Sequence, residues 1–168
     1  MRKIRYILLA LVLALASVGA AAADNPDFTA HLSGGNEVPP NTSRAAGQAI
    51  FHFSDDGATL HYKLIAANIN NVVAAHIHLA PAGANGPVVL FLYGPAAPGQ
   101  GRSSGVLATG TATAADLVGP LAGASLDDLL AEIVAGNAYV NVHTNDGIDP
   151  PNTGPGDFPG GEIRGQIR

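Results

Sequence analysis

From Asp24 onward, apolar and polar side chains alternate with period two in short runs, and Gly, Pro, Asn or Asp ends each run. That period belongs to a strand with one face buried. Phe28, Ala30 and Leu32 share one face of Phe28–Leu32, and a turn-rich stretch from Ser33 to Pro40 follows. Ala49–Phe53 and Leu60–Leu64 flank Asp55-Asp56-Gly57, a turn suited to a hairpin. In the second of these, Leu60, Tyr62 and Leu64 point inward, with His61 and Lys63 outward. Val72–Ala80 reads as the next strand. Val88–Tyr93 is apolar at every position, which predicts a central strand buried on both faces. Gly105–Thr113, Ala138–His143 and Glu162–Ile167 complete the strands. One segment has helical spacing: Ser125 as N-cap, Asp127 and Asp128 in the first turn, Gly136 at the end, and Leu126, Leu129, Leu130, Ile133 and Val134 on one face. The pattern predicts an all-β chain, an antiparallel β-sandwich of the immunoglobulin-like or superoxide-dismutase-like kind, with one short helix near Ser125–Gly136 packed on it.

The first residues follow a different logic. Arg2, Lys3 and Arg5 precede an apolar core from Ile7 to Ala16, and Ala21-Ala22-Ala23 fits a small-residue cleavage site. Residues 1–23 are therefore expected to be a cleaved export signal, and 24–168 a single domain in the periplasm or outside the cell. The apolar core is short for a membrane span, so no membrane association is expected after cleavage. Loss of the leader leaves five Lys and Arg against thirteen Asp and Glu, a net charge of −8 with His neutral. That balance disfavours nucleic acid and anionic membranes as partners. The chain has no Cys, which excludes disulfides, thiolate nucleophiles and thiolate metal sites.

The candidate chemistry lies in histidine. His76-Ile77-His78 sits in the Val72–Ala80 run, so on a strand both imidazoles leave the same face, with Ala75, Ile77 and Leu79 on the other. Neutral imidazole is the commonest protein donor to transition metals. Tyr139, Asn141 and His143 alternate in the same way against Ala138, Val140 and Val142. If the two polar faces adjoin, His76, His78 and His143 converge as ligands for copper or zinc. Glu162 is a candidate to orient a ligand or complete the set, although a salt bridge with Arg164 or Arg168, or a solvated surface position, suits it better than a metal bond. His31 is the candidate fourth ligand among His31, His52 and His61, which otherwise read as outward-facing surface residues. Arg164 is a candidate guide for a small anion. The loop carboxylates Asp146, Asp149 and Asp157 do not have the spacing of an EF-hand. No nucleophile elbow, phosphate-binding loop or dinucleotide fingerprint is present.

Four motifs, in order, resemble the CHRD (chordin) domain family. They are Gly34-Gly35-Asn36-Glu37-Val38-Pro39-Pro40, Ala75-His76-Ile77-His78, Gly136–Thr144 and Pro159–Gln166. The resemblance spans nearly the whole chain after the leader and implies a secreted all-β sandwich; it implies no defined activity. The stretch from Asn145 to Phe158 departs from the pattern as an insertion placed to cover or extend the site. The His-x-His pair also looks like the ligand arrangement of copper-zinc superoxide dismutases, without that family's disulfide or its wider histidine set. Two functions follow as expectations. One is an exported protein with a histidine transition-metal site, redox-active in the manner of a superoxide dismutase. The other is a non-catalytic extracellular module with structural histidines that binds a protein or glycan.

Overall fold

The computed structural model describes residues 27–168; the predicted leader lies outside the described residues. Eight strands form one antiparallel sheet: β1 (Asp27–Ser33), β2 (Ala46–Phe53), β3 (Leu60–Asn70), β4 (Val72–Leu79), β5 (Val88–Tyr93), β6 (Arg102–Ala112), β7 (Ala138–Thr144) and β8 (Ile163–Gln166). Their order across the sheet is β5-β4-β7-β8-β1-β2-β3-β6. The sheet curls until its end strands β5 and β6 approach each other, giving a nearly closed barrel. Tyr62 on β3 spans that seam, its hydroxyl donating to the Leu92 carbonyl at 3.1 Å.

Alternation decides what fills the interior. Phe28, Ala30, Leu32, Ala49, Phe51, Leu60, Leu64, Ala75, Ile77, Val140, Val142 and Ile163 all point into one continuous apolar core. Each such side chain contributes on the order of 1–3 kcal/mol by leaving water. The helix α1 (Leu126–Val134) starts as its sequence requires. Ser125 Oγ accepts from the Asp128 amide, and the Asp128 carboxylate accepts from the Ser125 amide and hydroxyl. Leu126, Leu129 and Ile133 are buried beneath it.

Two expectations about burial need correction. Val134 is 69 % exposed, because the helix's buried stripe passes through Ile133 and leaves Val134 past its edge. β5 is an end strand that pairs with β4 alone, not a central one, and its Phe91 is 50 % exposed. The outward face of β5 is nonetheless partly occupied, since Phe91 packs edge-on against His76 with ring centroids 4.6 Å apart.

Candidate metal centre

β4 and β7 are neighbours, with His78 opposite Tyr139, His76 opposite Asn141 and Ala74 opposite His143. Because Ala75, Ile77, Val140 and Val142 are committed to the core, the residues between them must leave the sheet's outer face. His76, His78 and His143 therefore come together there. One ring nitrogen from each lies within 4.8 Å of the others, and the three form a group that could hold a metal ion.

Carbonyl groups from two loops set the ring orientations. His78 Nδ1 lies 3.0 Å from the Gly86 carbonyl oxygen, and His143 Nδ1 lies 2.9 Å from that of Pro159. A carbonyl only accepts, so both Nδ1 atoms carry hydrogen and both Nε2 atoms present lone pairs. His143 Nε2 accepts from His76 Nδ1 at 3.1 Å. His78 Nε2 is buried and has no partner in the protein. A buried acceptor left unpaired costs about 1–3 kcal/mol, and an ion shared by the three rings would satisfy it. Metal–nitrogen bonds of about 2.0–2.1 Å in a tetrahedral site set ligand atoms roughly 3.4 Å apart, so ligation would draw these atoms in from separations of up to 4.8 Å and replace the hydrogen bond between His76 and His143. The donor set, three neutral imidazoles of which His78 and His143 have carbonyl-fixed tautomers, suits a transition metal ion and does not suit calcium or magnesium.

Electrostatics act in the same direction. Burial pushes the His76 imidazole down to about 4, assisted by the neighbouring His143 and His78. His78 and His143, each 8 % exposed, are also held below the ordinary histidine range, chiefly by burial. The cluster is thus kept in the unprotonated state that metal ligation requires. His76 is the most accessible of the three, and the cluster opens toward solvent on its side, next to Phe91.

The remaining predicted site residues lie elsewhere. Glu162 is 0 % exposed, neither solvated nor paired with an arginine, and it bonds none of the three imidazoles. Its Oε1 accepts from Ser43 Oγ at 2.5 Å, and its Oε2 accepts from Thr144 Oγ1 at 2.6 Å and from the Gly156 amide at 2.8 Å. Thr144 Oγ1 in turn accepts from the Phe158 amide at 2.9 Å. Glu162 thereby ties down the 145–161 loop, and that loop brings the Pro159 carbonyl to His143. His31 stands on β1, separated from β7 by β8, and lines a different cavity. Arg164 is buried, with its guanidinium 3.4 Å above the Tyr139 ring, and it donates to Asn85 Oδ1 and the Pro81 carbonyl. Tyr139 stacks on its other flank against His78, at 4.9 Å between centroids. Arg164 therefore reaches the cluster through the Tyr139 ring, which lies between it and His78.

Sequence reasoning missed Gly86, whose carbonyl orients His78 and whose amide donates to Tyr139 Oη at 3.1 Å. Any side chain there would collide with the Leu79 carbonyl. The only signal was its place in a Gly/Pro loop eight residues after His78.

The chain matches the CHRD domain over residues 28–167. It belongs to the CHRD domain family. The match covers every strand and the histidine cluster, so the candidate centre is built on the family's own framework and not on an appended segment. No curated protein and no solved structure matches the chain. No helix among the described residues is long and apolar enough to cross a membrane.

Proposed function

We propose that this CHRD domain is an exported metal-binding module that holds one copper or zinc ion on His76, His78 and His143. The observation that carries the reading is His78 Nε2, a buried and unpartnered lone pair inside a cluster of three imidazoles. Gly86 and Pro159 fix the tautomers, Glu162 holds the loop that delivers Pro159, and Phe91 shields His76 from one side. Export rests on the leader pattern of residues 1–23.

Copper at such a site would supply one-electron exchange, which is the chemistry superoxide dismutation needs. The partial exposure of His76 favours that version, because a small anion could approach from its side. The alternative is a metal-free module with structural histidines that binds an extracellular protein or glycan, and it would leave His78 Nε2 unsatisfied.

Metal content of the protein purified from its own compartment separates these readings. One equivalent of copper or zinc is expected in the wild type, with loss from both His76→Ala and His143→Ala variants that remain folded. A metal-free wild type that takes up neither ion would overturn the proposal. Superoxide consumption by the copper, zinc and metal-free forms then tests catalysis, and activity independent of metal would count against the redox version.

A further inference from the structure

A cavity of about 560 Å³ opens on the far side of Arg164 from the histidines. The Asn36–Pro40 turn, Ala82-Gly83, Gln166, Arg168 and His31 wall it together with Arg164. Its size lies within the roughly 300–1,000 Å³ typical of small-molecule sites. Its charges are arranged unusually. Glu37 is 6 % exposed, and its Oε1 is buried with no hydrogen-bond partner. Arg164 is buried as well, and its guanidinium meets neutral partners, the Asn85 and Pro81 oxygens and the Tyr139 ring. Among the described residues the one ion pair is His52–Asp27, so Glu37, Arg164 and Arg168 line the same cavity without pairing.

Buried charges are ordinarily paired, because an unpaired one forfeits its hydration. A carboxylate and guanidinium groups that share a cavity without touching are complementary to a molecule carrying the inverse pair. The Arg168 backbone is fixed by reciprocal hydrogen bonds with Thr29, both 2.9 Å, which places its side chain at the cavity rim. The guanidinium fork matches a carboxylate, and an ammonium would supply the donor that Glu37 Oε1 lacks. Val38, Pro40 and Ala82 offer apolar contact, and no Phe, Tyr or Trp lines the cavity as a stacking platform for a sugar, the one ring in its wall being the His31 imidazole.

We propose that this cavity binds a small zwitterion of the amino-acid or dipeptide class, its ammonium on Glu37 and its carboxylate on Arg164 and Arg168. The site is independent of the metal reading, since it shares no residue with the histidine cluster.

The test is a titration of the full, metal-free chain with L-alanine and L-alanyl-L-alanine, followed by amide chemical shifts and calorimetry, with acetate and methylamine as single-charge controls. Saturable shifts at Asn36, Gly83 and Gln166 are expected with one of the two zwitterions, and binding about tenfold or more weaker for each control. Glu37→Gln and Arg168→Ala should each weaken binding by about tenfold or more. Arg168→Ala alters an exposed side chain, so it keeps the test valid if Glu37→Gln perturbs folding. No saturable shift up to about 50 mM would overturn the proposal. So would acetate or methylamine binding as tightly as the zwitterion, or binding unchanged in both variants.

Discussion

Replacing Glu162 with Ala should unfold this protein more readily than any surface change, and the size of the effect can be worked from its contacts. The carboxylate is fully buried and accepts from Ser43 Oγ, Thr144 Oγ1 and the Gly156 amide. Truncation leaves all three donors without that acceptor, and each unsatisfied buried donor costs about 1–3 kcal/mol. The donors belong to one network, so their losses do not add fully. Breaking a buried charged network typically costs about 3–5 kcal/mol, and a value near 4 is expected here. For a domain of this size about 1 kcal/mol corresponds to roughly 3 °C, so the melting temperature should fall by about 12 °C. Glu162→Gln keeps one acceptor oxygen but turns an amide donor toward the others, and should cost about 2 kcal/mol. Ser43→Ala removes a single bond and should cost about 1 kcal/mol. Differential scanning calorimetry of the metal-free chain gives the series directly. If Glu162→Ala melts within about 2 °C of wild type, the carboxylate does not hold the loop and the account of how Pro159 reaches His143 is wrong.

Burial raises the Glu37 carboxyl to about 7, against the opposing charge of Arg164 and with a smaller push from Glu162. Between about 4.5 and 7 the folded chain therefore holds a proton that the unfolded chain has lost, so this group makes stability fall as pH rises. His76 contributes the opposite slope from about 4 to 6.5, and His78 and His143, lowered by burial, act in the same direction, so the informative quantity is the difference between wild type and Glu37→Gln. The variant should gain about 1–3 kcal/mol relative to wild type between pH 4 and pH 8, measured by denaturant titration; a difference that does not move with pH would refute the burial argument. Gly86→Ala must displace the loop from Leu79 and with it the carbonyl that orients His78. It should destabilise the fold by about 2 kcal/mol or more and weaken metal uptake, whereas Ala82→Ser in the same loop should do neither. Tyr62→Phe removes the hydroxyl that bridges the seam to Leu92 and should cost about 1 kcal/mol, with faster amide exchange in β5 if that bond helps close the barrel.

Much of the fold could be read from period-two alternation, because each strand has one face in a single core and the other outside it. The same rule placed His76 and His78 together and set Tyr139, Asn141 and His143 on one face. It could not place β7 beside β4, since pairing between strands sixty residues apart is a property of the closed sheet and not of either segment. Val88–Tyr93 misled for a related reason: Phe91 is apolar yet half exposed at the sheet's end, and its apolar character serves the His76 ring rather than the core. Glu162 and Glu37 were hardest to read. Both are charged residues next to Gly- and Pro-rich turns, where solvation is the ordinary expectation, and only the three-dimensional arrangement brings hydroxyls and amides to the first and a cavity to the second.

The central claim is that His76, His78 and His143 share one metal ion. X-ray absorption on the chain loaded with one equivalent of zinc or copper addresses it most directly, with His78→Ala measured in parallel. Three imidazole nitrogens at about 2.0–2.1 Å are expected in the wild type, with loss of one of them and weaker binding in the variant. A wild-type spectrum dominated by oxygen ligands, or one that His78→Ala leaves unchanged, would contradict the account.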